Sequence, residues 1–271
     1  MNFMGARIAK QIIYPDRLHL SGVIRRGATS EEQLRRQLAW LGDTWLWLLK
    51  DKVPAGLDSI HGRGSALDVG CGPGLVMDLI SPFYDVQGLD VDPEMVTAAR
   101  KRGHAVTEGD ALALPFKDGS FDLVYCSFTL LWVGDPQIAI QEMARVARKR
   151  VVCLAEPDYG GRICVPKEVA DLDTFLVRSL VAEGADPFVG RKLGMLLERA
   201  GLEVDSGVHT GAWSPQQLRQ EMDMEWDSIA GAVRTLVDGA TLDRARTAWC
   251  EASLDRSLFL FNPVFHAIGS K

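Results

Sequence analysis

The spacing of apolar residues predicts that the chain begins with a long helix and continues as an α/β domain. A periodic helical segment runs from Thr29 and Ser30, which are N-cap residue types, to about Pro54. Its apolar stripe consists of Leu34, Leu38, Leu41, Trp45 and Leu48. From residue 64 onward, short apolar runs alternate with helical segments. That alternation predicts a doubly wound, mostly parallel sheet with helices on both faces.

Seven short segments have the apolar or alternating character of strands. They lie at 66–69, 86–89, 104–108, 121–127, 151–155, 202–208 and 258–268. Between them we expect helices at 74–81, 93–103, 135–147, 166–183 and 190–200. The roughly 45 residues at about 210–255 are predicted to be a helical insertion between the last two strands. We expect residues 61–271 to form one domain and residues 1–60 to form an N-terminal helical lid.

The chemistry-bearing motif is the sequence ALDVGCGPG at 66–74, which follows the first predicted strand and opens a helix. Glycines at 70, 72 and 74 allow a sharp turn and let a ligand lie against bare backbone. Ligands bind at the strand ends of such sheets. The third glycine of a dinucleotide fingerprint and the GK[ST] of a phosphate-binding loop are both missing here.

Three acidic residues stand at the ends of the first three predicted strands. Asp68 could attract a ligand ammonium, and Asp90 could accept hydrogen bonds from a ribose diol. Asp110, or the neighbouring amide of Ala111, could meet an adenine edge. These acidic groups suit a ligand that combines an amino acid with a nucleoside, and the sequence offers no phosphate-binding motif. Both observations favour S-adenosylmethionine over a nicotinamide cofactor.

Composition and charge limit the classes of partner that the protein is expected to bind. The chain has 271 residues, 47% of them apolar, and a formal net charge of −6, which disfavours a nucleic-acid partner. Its five cysteines show neither CxxC pairs nor zinc-ligand spacing, so we expect reduced thiols and no metal. No signal peptide or membrane span is evident, and a cytoplasmic location is expected. The sequence leaves a monomer and a homodimer equally open.

The motif at 66–74, together with VQGLDVDPEMVTAAR at 86–100 and EGDALALPFKDGSFDLVYCSFTLLW at 108–132, resembles class I S-adenosylmethionine-dependent methyltransferases. The similarity is greatest to the small-molecule, quinone-biosynthesis-type branch. It implies a seven-stranded, Rossmann-like sheet whose last strand is antiparallel. It also implies cofactor contacts from Asp68, Gly70, Cys71, Gly72, Asp90, Val91, Met95, Asp110, Ala111 and Ser127.

Within this resemblance, Asp68, Gly70 and Gly72 would hold the methionine part, and Ser127 would line the mouth for methyl transfer. The sequence departs from the family pattern at two places. A basic run at 148–150 replaces a common Pro-Gly-Gly turn, and Thr129 stands where many relatives carry His.

Candidate bases for the acceptor are Glu156 and Tyr159, which follow the fifth predicted strand, and His209, which follows the sixth. A polar turn around Glu156 and a satisfied core histidine at His209 are the structural alternatives. The tryptophans of the first helix either pack on the core or cover an apolar acceptor. Two other functions stay open: a non-methylating S-adenosylmethionine-binding protein, as a regulator or cyclase, and a nicotinamide-dependent oxidoreductase.

Overall fold

The computed structural model describes residues 31–52, 63–209 and 215–271. The predicted N-cap residues Thr29 and Ser30, the helix end near Pro54, and residues 210–214 of the predicted insertion lie outside these ranges. Most of the segment at 1–60 is also outside, so the division into a lid and a domain stays a prediction.

Nine helices and nine strands occur in the described ranges. The helices are α1 Glu31–Lys52, α2 Leu75–Ile80, α3 Pro93–Lys101, α4 Pro136–Val146, α5 Lys167–Ala170, α6 Asp173–Ala182, α7 Leu193–Arg199, α8 Pro215–Val233 and α9 Gly239–Asp255. The strands are β1 Gly64–Val69, β2 Tyr84–Asp90, β3 Ala105–Glu108, β4 Phe121–Ser127, β5 Ala147–Pro157, β6 Ile163–Val165, β7 Glu203–His209, β8 Phe259–Phe261 and β9 Val264–Ser270.

Seven of the strands form one sheet in the order β3-β2-β1-β4-β5-β9-β7. β9 is antiparallel to both of its neighbours, whereas the pairs among the first five strands of that order are parallel. The predicted mostly parallel, seven-stranded sheet with an antiparallel last strand is therefore confirmed. Parallel pairing brings the carboxyl ends of β1, β2, β3 and β4 to one edge.

The predicted last strand at 258–268 is wrong in its first half. The chain makes β8, turns at Asn262 and Pro263, and only then enters the main sheet as β9. Pro263 has no N–H to donate to a ladder, which explains a break at this point. β8 instead pairs antiparallel with β6 in a separate two-stranded sheet.

The helix predicted at 166–183 is divided into α5 and α6.

At the basic run of residues 148–150, the sequence lacks the usual Pro-Gly-Gly turn, and the structure shows how the chain connects α4 to β5 without it. α4 ends at Val146, and β5 begins at the next residue without an intervening loop. The basic side chains at this end are satisfied locally, since Arg148 donates to Asp122 at 2.8 Å.

Apolar clusters cover both faces of the main sheet. On one face, α4 and α7 pack against the sheet through buried residues such as Ile140, Met143 and Leu197. On the other face, α1 buries Leu41 and Trp45 against Tyr125 and neighbouring sheet residues. Trp45 is only 1% exposed. Replacing a tryptophan buried to this degree with alanine typically costs about 3–5 kcal/mol.

A third apolar cluster is formed by α5, α6, α8, α9 and the β6–β8 sheet, which we call the helical cap. Its centre includes Trp226 and Trp249, whose rings lie 6.1 Å apart. The cluster comprises Cys164, Val169, Leu172, Leu176, Leu218, Trp226, Ile229, Val233, Ala245, Trp249, Ala252, Leu258 and Leu260. Among the helices of the described ranges, none combines the length and apolar character needed to cross a bilayer.

Candidate active site

The glycine turn after β1 is held against the end of β2. The amides of Gly70 and Cys71 donate to the carbonyl oxygen of Leu89 at 2.7 and 3.0 Å. Gly70, Gly72 and Gly74 have φ values of +73°, +52° and +86°, a region that glycine enters without a Cβ penalty. This explains why the turn requires its spaced glycines.

Gly70 and Gly74 are also required because a side chain at either position would overlap a neighbour. A Cβ on Gly70 would overlap the side chain of Thr129, and one on Gly74 would lie 2.6 Å from His104 Cδ2. By contrast, a Cβ on Gly72 would meet only Leu34 Cδ1, at 3.9 Å, and both residues line a cleft. The bare backbone of Gly72 is therefore part of that cleft's surface.

Asp90 lies beside the glycine turn, and the loop that carries Asp110 lies next to Asp90. The buried Asp90 carboxylate accepts from the amides of Gly72 at 2.8 Å and Asp92 at 2.9 Å. Gly109 donates its amide to the Asp90 carbonyl at 2.9 Å, which brings the Asp110 loop next to Asp90. Asp110 itself is exposed and accepts from Leu112 at 2.9 Å.

The other residues expected near the adenine surround the same edge. Val91 follows Asp90 and is 46% exposed, although it is a large apolar residue. Met95 is partly buried in the first turn of α3, and Ala111 follows Asp110. An exposed apolar surface next to carboxylates suits the face of a purine ring.

Asp68 presents a buried carboxylate to the same site. The residue is 2% exposed, and its Oδ2 makes no hydrogen bond of regular geometry among the described residues, although the Tyr125 hydroxyl interacts with this carboxylate. Burial raises the pKa of Asp68 to about 8; the Tyr125 hydroxyl opposes this rise and the nearby Asp90 adds to it. A buried carboxylate with a free oxygen is a suitable partner for an ammonium group.

The cleft between the glycine turn and α1 opens to solvent, and about 420 Å³ of empty space, open solvent included, lies within it. Besides the turn, its walls come from α1 and from the end of β4. The lining residues are Leu34, Gln37, Leu38, Trp45, Asp68, Gly70, Cys71, Gly72, Pro73, Leu75, Val76, Ser127 and Phe128. Ser127 thus lies where the sequence places it. Cys71 also lines the cleft, but burial raises the pKa of its thiol and disfavours a nucleophilic role.

One lining residue was missed by the sequence predictions. Phe128 adopts a φ of +52°, an unusual value for an aromatic residue, and its ring centroid lies 6.4 Å from that of Trp45. α1 contributes Leu34, Gln37 and Leu38 to the cleft wall, and Trp45 also lines the cleft although it is buried in the core. A stripe of apolar residues on a helix predicts that this face is buried. It does not show whether the face packs against a cleft or against a sheet, because both arrangements give the same pattern.

Glu156 points inward, away from an acceptor. Its carboxylate accepts from the amides of Thr129 and Leu130 at 2.9 Å each and from Leu131 at 3.3 Å. Burial raises the pKa of Glu156 to about 7, although the three amides oppose the rise. These contacts indicate that Glu156 positions the loop after β4, and a role as base stays a prediction that this geometry does not favour.

Tyr159 and His209 are in different surroundings. Tyr159 packs between the main core and the helical cap, and burial raises the pKa of its hydroxyl. His209 is 3% exposed, and its Nε2 lies 2.7 Å from the carbonyl oxygen of Leu154. Burial lowers the pKa of His209, which disfavours the imidazolium form. Neither residue lines the cleft, so their catalytic roles stay predictions.

A glycine turn, three carboxylates at the ends of adjacent parallel strands, and a cleft beside them define a nucleoside-binding protein of the doubly wound class. A family model described as a methyltransferase domain matches residues 67–155. A demethylmenaquinone methyltransferase of Bacillus licheniformis is 33% identical over 165 residues, covering 51% of this chain and 70% of that enzyme. The chain therefore belongs to the class I S-adenosylmethionine-dependent methyltransferases.

Other comparisons differ in how much they cover. An uncharacterized 37.1 kDa protein in transposon TN4556 of Streptomyces fradiae is 36% identical over 167 residues, which are 56% of this chain and 48% of that protein. The chain thus spans about half the length of that relative. The structure of Haemonchus contortus phosphoethanolamine N-methyltransferase 2, in complex with phosphomonomethylethanolamine and S-adenosylhomocysteine, has a TM-score of 0.56 and 14% identity. It covers 90% of this chain and 58% of the other, and shows a shared fold.

Proposed function

We propose that the chain transfers a methyl group from S-adenosylmethionine to a small organic acceptor with an O, N or C nucleophile. The observation that carries the proposal is the buried, unpartnered Oδ2 of Asp68 beside the bare backbone of Gly72. The similarity to a demethylmenaquinone methyltransferase supports the quinone-biosynthesis-type branch of the family.

The residues present fit this cofactor. Asp68 would hold the ammonium of the methionine part, and the bare backbone of Gly70 and Gly72 would accommodate its chain. Asp90 would accept from the ribose hydroxyls, with Val91 and Met95 against the adenine. Asp110 and Ala111 would meet the adenine edge. All of these lie at the carboxyl edge of β1, β2 and β3.

When bound, the cofactor supplies a methyl group already activated by a positively charged sulfur. The protein must align the acceptor and exclude water, and alignment of this kind accounts for roughly 7–11 kcal/mol of a barrier. Ser127 and Phe128 line the cleft at the end of β4, where an acceptor would enter. Leu34 and Leu38 of α1 line the cleft, which supports the proposal that this helix acts as a lid.

A direct test uses calorimetric titration with S-adenosylhomocysteine and, separately, with NADH. We expect saturable binding of the first and no binding of the second. Binding of NADH alone would contradict the proposal and support an oxidoreductase.

A second experiment separates an enzyme from a non-methylating binder. The protein is incubated with methyl-labelled S-adenosylmethionine and a small-metabolite extract from which macromolecules have been removed. We expect labelled small products that disappear with Asp68→Asn. Cofactor binding with no labelled product in any extract would favour a regulator or cyclase.

A further inference from the structure

Arg162 is a buried cation with unused hydrogen-bond donors. It follows the short helical turn at Tyr159–Gly161, and its side chain is only 4% exposed. Its Nε and Nη2 atoms are buried and have no hydrogen-bond partner among the described residues. Leaving a buried donor unsatisfied typically costs about 1–3 kcal/mol, and more for a charged group. Such a group calls for an explanation, and a ligand is one.

Asp173 compensates this charge only in part. Its Oδ1 lies 3.3 Å from Arg162 Nε, but the contact does not have hydrogen-bond geometry. Burial raises the pKa of Asp173 even though the charge of Arg162 opposes the rise. A guanidinium can form two parallel hydrogen bonds with one carboxylate, and this pairing leaves that capacity unused.

Arg162 follows β5, which is the parallel neighbour of β4 in the main sheet. Tyr159 lies three residues earlier, two residues after the end of β5, and packs between the main core and the helical cap. Burial raises the pKa of the Tyr159 hydroxyl, while the charge of Arg162 lowers it and that of Glu225 raises it. Both charged groups are therefore close to this hydroxyl.

Glu225 continues the connection to the cleft. Arg36 of α1 donates to Glu225 at 3.2 Å, and its near neighbours Leu34 and Gln37 line the cleft. Arg36 thus ties α8, which carries Glu225, to the helix that lines the cofactor cleft.

The surroundings restrict the charge of a ligand. Asp173 and Glu225 already bring two negative charges near the single charge of Arg162, so a dianionic phosphate would meet stronger repulsion. The apolar neighbours, which include the buried Cys164, favour a weakly hydrated monoanion attached to an organic body. A carboxylate meets both conditions and matches the planar guanidinium.

We propose that Arg162 binds a carboxylate group of the methyl acceptor and exchanges its contact with Asp173 for a two-point contact with the ligand. The inference rests on the proposed function, because it defines the class of acceptor for that same site. Arg162 is a specificity residue in this assignment, and it holds no reacting atom.

The test measures binding of benzoate, with its neutral counterpart benzamide as the matched ligand, to the full chain saturated with S-adenosylhomocysteine. Ligand-detected NMR titrations give both affinities. We expect benzoate to bind at least tenfold more tightly than benzamide. Arg162→Gln should remove this preference, and Arg162→Lys, which keeps the charge but loses the fork, should retain only part of it.

Two further variants guard against a folding artefact. Arg178→Gln changes an exposed arginine on α6 and should leave the preference for benzoate intact. Asp173→Asn removes the competing carboxylate and should tighten benzoate binding at least threefold, a gain that loss of structure would not produce. Equal binding of benzoate and benzamide, absence of benzoate binding to the wild type, or weaker benzoate binding in Asp173→Asn would each overturn the assignment.

Titration of the same samples with S-adenosylhomocysteine distinguishes a failure of the proposed function from a failure of the role assigned to Arg162. Loss of that binding in the wild type would contradict the proposed function itself. Normal cofactor-product binding without a preference for the carboxylate would leave the proposed function in place and reject the role of Arg162.

Discussion

Thr129 fills the space in which any side chain at position 70 would lie. A Cβ built on Gly70 would be 2.5 Å from Thr129 Oγ1, and Thr129 is itself 6% exposed and hydrogen-bonded to the Val69 carbonyl at 3.2 Å. The loop after β4 and the cofactor turn after β1 are therefore packed directly on one another. A change in either one must be transmitted to the other.

Gly70→Ala should consequently lower both stability and cofactor affinity. The left-handed φ costs roughly 1–2 kcal/mol for a residue with a Cβ, and overpacking adds about 1–3 kcal/mol. Urea unfolding and calorimetry with S-adenosylhomocysteine measure the two effects, and we expect at least a tenfold loss of affinity. The control is Gly103→Ala, which has a φ of +93° but no atom within 4 Å of the new Cβ.

Adding Thr129→Ala to the Gly70→Ala variant should recover part of the lost affinity, because it removes the overlapping atoms. If the double variant binds no better than Gly70→Ala alone, the overlap is not the cause.

Binding of S-adenosylhomocysteine should strengthen as pH rises from 6 to 8. Asp68 has a pKa of about 8 in the free protein, and an ammonium binds the ionised carboxylate. The affinity should rise by up to about tenfold per pH unit and level off above pH 8. Asp68→Asn should flatten this dependence and bind more weakly at pH 8. A pH-independent affinity in the wild type would contradict the ammonium role.

The raised pKa of Asp68 has the opposite effect on the stability of the free protein. Between about pH 4 and 8, the folded state keeps a proton on Asp68 that the unfolded state has released. Stability from this group therefore falls as pH rises through that window.

Glu156→Gln should destabilise the fold by about 1–3 kcal/mol, because an amide group would then face backbone donors that now share a carboxylate. Affinity for S-adenosylhomocysteine should fall several-fold as the loop at 129–131 loosens. Urea unfolding and calorimetry provide both values, and Glu203→Gln, on an exposed position of β7, is the control. If Glu156 is instead the base, transfer of labelled methyl should fall 10²–10⁴-fold with stability unchanged.

Arg36 joins α1 to α8 by contacts with Glu221 at 2.7 Å and Glu225 at 3.2 Å. Arg36→Ala should release about 1 kcal/mol of this attachment, and the amides of α1 should exchange roughly fivefold faster in hydrogen-exchange measurements. Lys167→Ala breaks an exposed ion pair with Asp171 on α5 and should leave α1 unchanged. Equal exchange of α1 in the wild type and Arg36→Ala would show that the contact does not hold the helix.

Local patterns were sufficient to predict the sheet and the cofactor turn. The alternation of short apolar runs with capped helices located six main-sheet strands and the second half of the seventh, and the glycines at 70, 72 and 74 predicted a sharp turn. The carboxylates of Asp68, Asp90 and Asp110 could be grouped because parallel strands share a carboxyl edge. Each of these inferences depends on neighbours in sequence or on a general rule of topology.

The features that escaped prediction depend on contacts between distant segments. The pairing of β6 with β8 joins residues almost 100 positions apart, and no local signal encodes it. The sequence places Glu156 at a strand end but does not show that its carboxylate turns toward the amides of residues 129–131. Arg162 likewise looks like an ordinary turn residue until burial is known.

The helical cap has an apolar centre and a small sheet of its own, separate from those of the cofactor domain. Substitutions deep in the cap and substitutions at the glycine turn share few neighbours, so their energetic effects should add rather than couple. The change in the unfolding free energy of a double variant, with one change in the cap centre and one at the glycine turn, should therefore equal the sum of the two single effects.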